Sequence, residues 1–152
     1  MRFSHIARLV RLDRGLHSEH ILSIWDRKSM ADNMFSIEQK KICNRYQVEF
    51  SPPVEDSILG VSLNVRSPLV PVNGLRHPPH LQTNGWYIWA GETFPADEDG
   101  FKPLHYSHIL EWNHSIVKYL ALPPGWRFLT DGSYEDVWFD GSLLNIDTYT
   151  NN

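Results

Sequence analysis

The stretch LPPGWRFLTDGSYEDVWFD, from Leu122 to Asp140, predicts a β-hairpin and with it the class of the fold. Its two runs of aromatic and β-branched residues, 126–130 and 136–140, favour strands. The Asp131-Gly132-Ser133 segment between them is typical of a turn, because glycine and short polar side chains tolerate turn backbone angles. Pro123-Pro124-Gly125 ends any preceding helix, since proline cannot continue one.

Three further stretches of the sequence predict strands. Gly85–Gly91 is aromatic and β-branched, which predicts a central strand. Residues 59–65 alternate between apolar and small or polar side chains, which predicts a half-buried strand. Residues 69–72 predict a short edge strand, and Asn73-Gly74 after it is interpreted as a turn.

Helical signals lie on either side of these strands. Ser36 and Gln39 fit a capping box, which predicts a helix from about Ile37 to Arg45. Residues 104–120 predict two short helices, the second of them capped by Asn113. Together these elements predict an α+β fold, in which a few short helices pack on one face of an antiparallel sheet.

The pattern also predicts the domain organisation. Residues 1–34 show only short, interrupted helical periodicity, and Met30 and Met34 are alternative start codons. We interpret residues 1–34 as an N-terminal extension, either a mis-assigned start or loosely attached helices, and expect it to be dispensable for folding. Residues 35–147 predict a single domain long enough to bury a core, followed by a frayed tail at 148–152.

The charge is unevenly distributed along the chain. Residues 85–152 hold three basic and ten acidic residues, against a net charge of -4 for the whole protein. This acidic half disfavours nucleic acid as a partner and favours a basic partner or a solvated surface. The single cysteine, Cys43, fits the cytoplasm, and no apolar run approaches the roughly 20 residues that a membrane span needs.

Catalytic motifs are not found in the sequence, and we predict neither catalytic residues nor a cofactor. There is no nucleophile elbow, no phosphate-binding loop and no dinucleotide fingerprint. Glu135 and Asp136 are strand neighbours and point to opposite faces, so they cannot converge on one substrate atom. One alternative is a metal-dependent hydrolase that uses His77, His105 and His108. Another is a small-molecule regulatory module with a pocket lined by the tryptophans.

Acidic and aromatic residues occur together around two predicted turns, the acidic turn at Pro95–Gly100 and the turn of the hairpin. This combination predicts a partner-binding surface. Aromatic anchors within a charged rim are common in protein interfaces, and an acidic rim speeds capture of a basic partner. The alternative is that the tryptophans are core residues and the acids keep the surface soluble. The predicted surface comprises Trp86, Trp89, Asp97, Glu98, Asp99, Tyr134, Glu135, Asp136, Trp138 and Asp140.

Four segments occur in a recognisable order: NGLRHPP (Asn73–Pro79), NGWYIWAGE (Asn84–Glu92), FKPLHYSHI (Phe101–Ile109) and YLALPPGWRFLTDGSYEDVWFD (Tyr119–Asp140). With them, residues 35–146 resemble a bacterial family of predicted immunity proteins from polymorphic toxin systems. The resemblance implies a non-enzymatic α+β domain that binds and neutralises a cognate toxin domain. His77, His105 and His108 lie inside these segments, and the resemblance assigns them no role.

Overall fold

The computed structural model describes residues 26–27, 29–30 and 32–145, apart from the side chain of Glu98. The predicted tail at 148–152 and most of the predicted extension lie outside the described residues. The chain divides into two compact units, Met1–Ile37 and Glu38–Asn152. No helix within the described ranges is long and apolar enough to cross a membrane.

The second unit contains a six-stranded sheet in the order β4-β1-β3-β2-β5-β6. Its strands are β1 (Ile58–Val61), β2 (Val72–Arg76), β3 (Thr83–Ala90), β4 (Lys102–His105), β5 (Trp126–Thr130) and β6 (Glu135–Phe139). Neighbouring strands are antiparallel except β1 and β3, which are parallel. The predicted α+β class is confirmed, but the sheet is mixed rather than wholly antiparallel as predicted, because β1 and β3 run in the same direction.

Short helical segments complete the fold. Residues 32–45 are helical, and we call residues 38–45, which belong to the second unit, α1. A single α-helical turn, α2, spans Ile109–Trp112. The 3-10 helices span Leu63–Arg66, Glu98–Gly100, Tyr106–His108, His114–Tyr119 and Gly141–Leu144.

One side of the sheet, which we call the helix face, carries the main core. Ile88, Gly74, Phe128 and Val137 are successive cross-strand neighbours on it. The Tyr119 ring stacks on Phe128 at 4.6 Å between ring centroids. In a strand successive side chains alternate between faces, so Trp86, two residues before Ile88, shares this side.

Polar contacts tie the helical segments to the helix face and to each other. The Trp86 indole N–H donates to the Leu120 carbonyl at 3.0 Å. From α1, the buried Gln39 amide donates to the Val117 carbonyl and to the Tyr106 hydroxyl, each at 3.0 Å. Gln39 is thus a core residue and does not close a capping box. Because residues 32–36 are already helical, the predicted helix start at Ile37 is wrong, whereas its end at Arg45 is confirmed.

Two of the predicted strands are displaced. Strand β1 ends at Val61 rather than 65, because the Asn64 side chain takes the place of a strand partner and bonds both backbone groups of Ala90. Strand β2 begins at Val72, where the edge strand predicted at residues 69–72 was expected to end. It lies inside the sheet, between β3 and β5. The predicted turn at Asn73-Gly74 is wrong: Gly74 is in mid-strand, where its missing side chain leaves room for the Phe128 ring.

The region after the acidic turn is partly as predicted. Short helices do occur between residues 104 and 120, and the Asn113 side chain accepts from the Ser115 backbone N–H as a cap. Strand β4 was missed, because Pro103 is a poor strand residue except at a sheet edge. The hairpin of β5 and β6 is confirmed, with Trp126 paired to Phe139 and Thr130 to Glu135.

Candidate interaction face

The second side of the sheet, which we call the loop face, is covered by loops and is only partly buried. Two rows of cross-strand neighbours define it. The first row is Gly60, Tyr87, Leu75, Arg127 and Trp138, and the second is Trp89, Asn73, Leu129 and Asp136. Leu129 and Trp138 are half-buried and Asp136 is exposed, whereas the row through Ile88 on the helix face is buried.

An aromatic patch lies at one end of the loop face and consists of Tyr87, Trp89, Phe94 and Phe101. Its rings meet edge to face or tilted, with centroids 4.9 Å apart for Trp89 and Phe94 and 5.4 Å apart for Phe94 and Phe101. Tyr87 lies across Gly60, where a Cβ would come within 2.8 Å of its ring. Phe94 is 50% exposed, so the patch reaches the surface through a ring that the sequence did not single out.

The acidic turn adjoins the aromatic patch in the chain. Asp97 and Asp99 are exposed and lie in the loop that joins Phe94 to Phe101. Asp136 lies three strands from Trp89 in one cross-strand row, which is about 14 Å at the usual strand spacing of about 4.8 Å. The loop face therefore carries carboxylates on both sides of a partly buried apolar strip.

The hairpin places the remaining acids in different surroundings. The Arg127 guanidinium donates to Asp140 at 3.2 Å and lies over the Trp138 ring, 5.2 Å from its centroid. Hydrogen bonds from Ser142 and the contact with Arg127 hold the pKa of Asp140 below its usual value. Tyr134 is exposed beside the turn, and the Asp131 carboxylate accepts the backbone N–H groups of Ser133 and Tyr134.

Glu135 lies on the other side of the sheet, as strand alternation requires. Its carboxylate accepts from the Tyr119 hydroxyl at 2.6 Å and forms ion pairs with Arg45 and Lys118. Burial alone would raise the pKa of Glu135, but Tyr119, Arg45 and Lys118 together hold it below its ordinary value. Glu135 therefore ties strand β6 to α1 and to the His114–Tyr119 segment.

Two of the predicted surface anchors are core residues. Trp86 is 0% exposed and lies on the helix face, and Trp89 is 4% exposed beneath Phe94 on the loop face. Neither ring is available to a partner on this surface. Their opposite faces also mean that these two rings do not converge on one pocket.

The alternatives to a protein interface find little support in the described residues. His105 and His108 are both exposed with ring centroids 6.0 Å apart, and no group of three His, Cys, Asp or Glu within those residues could hold a metal ion. His77 packs edge-on against Tyr87 and its Nδ1 lies 3.0 Å from the Leu143 carbonyl, which makes it part of the packing. A cavity of about 100 Å³ near Leu69 and Thr130 is smaller than usual ligand sites, which have about 300–1,000 Å³.

Fold and surface together define a small α+β domain with one face closed by helices and the other partly open. The chain belongs to the Imm33-like domain family, whose model matches residues 38–140. The family carries an immunity-protein name, so the resemblance found in the sequence is confirmed. No curated protein and no solved structure matches the chain.

Replacing Glu135 with glutamine is expected to lower the free energy of unfolding by about 1–2 kcal/mol at pH 7, because its half-buried, charge-assisted hydrogen bond from Tyr119 weakens. Since folding lowers the pKa of Glu135, its stabilisation is complete above the ordinary value of 4.5 and is lost as the pH falls through the lowered value. The two proteins should therefore converge in stability in acid. Urea unfolding between pH 3 and 8 measures this, with Glu111→Gln on an exposed helix position as the control. A gap as wide at pH 3 as at pH 7 would contradict the assignment.

Proposed function

We propose that this protein is an immunity protein of a bacterial polymorphic toxin system, which acts in the cytoplasm by binding a cognate toxin domain and blocking it without catalysis. Membership of the Imm33-like family over residues 38–140 is the observation that carries this proposal. The sequence contains no recognised catalytic motif, and no group of three His, Cys, Asp or Glu among the described residues could hold a metal ion.

The loop face is the proposed toxin-binding surface. The aromatic patch supplies a partly exposed anchor at Phe94, and hot spots of protein interfaces are enriched in such rings. The surface is completed by Asp97 and Asp99 on one side and by Asp136, Trp138 and Asp140 on the other, and Tyr134 extends it at the turn. Glu98 is included because it lies between Asp97 and Asp99 in the sequence. These carboxylates favour a toxin with a basic surface, because opposite charges accelerate the encounter and orient it.

Co-expression with the toxin domain encoded beside this gene tests the proposal. Cells should survive the toxin when this protein is present, and the two proteins should co-purify. The triple variant Phe94→Ser, Asp97→Lys, Asp99→Lys should weaken the complex by about 30-fold or more, the effect of losing one hot spot of about 2 kcal/mol. Binding is measured by calorimetry, and protection by colony counts.

A matched control is available in the loop before β1. Val54 is 74% exposed and is followed by the exposed acids Glu55 and Asp56, so Val54→Ser, Glu55→Lys, Asp56→Lys makes the same changes in charge and exposed apolar area. The control should bind and protect like the parent. Equal loss in both variants would count against the loop face, and a toxin that kills despite wild-type protein would count against neutralisation.

A further inference from the structure

The two edges of the sheet differ in their capacity to accept another strand. In an antiparallel pair of strands, every second residue points both its N–H and its C=O at the neighbouring strand. The residues between them point these groups away from that strand. The Tyr106 N–H donates to the Ser57 carbonyl at 2.9 Å, which sets this alternation for β4. Pro103 is then an outward-facing residue, and because proline has no N–H, it blocks the β4 edge.

Strand β6 forms the opposite edge, and no residue in the described part of the chain blocks it. The Asp140 N–H donates to the Gly125 carbonyl at 2.7 Å, and the Asp131 N–H donates to the Tyr134 carbonyl at 3.2 Å. These two bonds frame the β5–β6 ladder, so Asp136 and Trp138 also turn their backbone groups toward β5. The backbone N–H and C=O groups of Glu135, Val137 and Phe139 therefore point away from β5. No residue within the described ranges forms a hydrogen bond with these backbone groups.

Natural edge strands usually carry a device that prevents pairing, such as lysine, proline or a bulge. Strand β6 contains no lysine and no proline, and its register with β5 is continuous from Trp126–Phe139 to Thr130–Glu135. Its charged residues are two acids, Glu135 and Asp136, which disfavour an acidic partner strand but not a basic one. Large apolar side chains are exposed at both ends of the strand, Tyr134 at 57% and Phe139 at 53%. Such an edge fits an interaction surface better than an end of the sheet that only meets water.

Charge indicates what the edge would accept. Among the acids of the hairpin, Glu135 pairs with Arg45 and Lys118, and Asp140 pairs with Arg127. Asp136 is exposed and has no ion pair or hydrogen bond within the described residues. A second copy of β6 would bring the same unpaired carboxylate to the new interface, whereas a lysine or arginine would neutralise it.

We propose that the β6 edge accepts an extended segment of a partner protein as a seventh strand, with apolar and basic side chains alternating along that segment. Backbone bonds to Glu135, Val137 and Phe139 supply the affinity, and side chains supply the specificity. Apolar residues of the segment lie beside Phe139 on the helix face, and its lysine or arginine lies beside Asp136 on the loop face. Only the identification of the partner as a toxin domain rests on the proposed function.

Amide hydrogen exchange in the full-length free protein tests the first step, that the edge is open. The amides of Val137 and Phe139 should exchange at least about tenfold faster than those of Asp136 and Trp138, which bond to β5. A variant that ends at Asn145 is compared to test residues 146–152 as an occupant. Slow exchange of Val137 in the full chain, whether or not this truncation relieves it, would overturn the proposal.

The second step uses a synthetic peptide, acetyl-Lys-Val-Lys-Val-Lys-Thr-amide, titrated into the full-length protein and followed by NMR. We expect the largest amide shifts at Val137 and Phe139 and at least tenfold weaker binding of the peptide with glutamate in place of lysine. Asp136→Lys should reverse this preference, whereas Glu55→Lys, with the same charge change elsewhere, should not. Shifts away from β6, no shifts at all, equal binding of both peptides or a dimer of the free protein would each overturn the proposal.

A proline variant separates the backbone contribution from the side chain. Phe139→Pro removes an outward N–H that no described residue uses, and Phe139→Ala removes the same ring but keeps the N–H. The proline variant should bind the peptide at least about fivefold more weakly than the alanine variant, and equal binding would contradict strand addition. If the peptide results fail while the neighbouring toxin is still neutralised, this inference is wrong and the proposed function stands.

Discussion

Replacing Arg76 with methionine is expected to lower the free energy of unfolding by about 3–5 kcal/mol, the largest effect of any polar substitution considered. Arg76 is 3% exposed, and its guanidinium donates to three carbonyls. They belong to Asn84 at 3.1 Å, Ser51 at 2.6 Å and Leu122 at 2.7 Å. These three carbonyls come from the loop before β1, from strand β3 and from the turn before β5.

The physical reason is that methionine replaces the apolar stem of the side chain but leaves three acceptors without a donor. Each buried polar group without a hydrogen-bond partner lowers the free energy of unfolding by about 1–3 kcal/mol. Removing the buried guanidinium cation offsets part of this loss, because burying a charge is itself unfavourable. Burial lowers the pKa of Arg76 to about 10, so the group stays charged at neutral pH although no carboxylate among the described residues pairs with it.

Urea unfolding measures this effect, with Arg127→Met as the matched control. Arg127 also lies in the sheet, but its side chain is 28% exposed and it pairs with Asp140, so its loss should cost about 1 kcal/mol. Equal losses for the two variants would show that Arg76 does not hold the three segments together.

Replacing Gly85 with alanine is expected to cost about 3–5 kcal/mol, from strain and overlap together. Gly85 has φ of +91°, a region that side chains of L-residues rarely occupy. A Cβ there would also overlap the carbonyl oxygen of His77, whose N–H donates to the Gly85 carbonyl at 2.8 Å. Strand β3 would therefore shift where it enters the sheet.

Gly132 allows the backbone strain to be measured without the steric overlap. It has φ of +97° in the hairpin turn, but a Cβ there would meet nothing within 4 Å. Gly132→Ala should therefore cost only the backbone strain, about 1–2 kcal/mol. Thermal unfolding of both variants measures the difference in stability. Similar losses of stability at the two positions would mean that the His77 carbonyl moves away from an alanine side chain at little cost.

Local signals predicted the elements that depend on neighbours in sequence. The β5–β6 hairpin follows from two apolar runs joined by Asp131-Gly132-Ser133, and the Asp131 side chain accepts from the turn backbone as such residues do. Local signals also predicted the strand near Gly85–Gly91 and the helix cap at Asn113. The acidic turn was located correctly, because three consecutive carboxylates favour solvent whatever the rest of the chain does.

The candidate face was predicted less well, because exposure is decided by packing. Trp86 and Trp89 have the same side chain and lie three residues apart, which places them on opposite faces of one strand. Both are covered, the first by the helical segments and the second by Phe94. Phe94 had no distinguishing local signal, since its role comes from rings and acids that meet only in the folded chain.

Sequence patterns were enough to predict the α+β class, the hairpin, the strand through Trp86 and the acidic character of the C-terminal half. Three features follow only from the folded structure: Gly74 lies in mid-strand under Phe128, β1 runs parallel to β3, and the β6 edge is unpaired within the described residues. Turn chemistry and side-chain alternation act over a few residues and can be read locally. Strand order, coverage of a face and an unpaired edge depend on contacts between distant segments, and those form only when the whole sheet assembles.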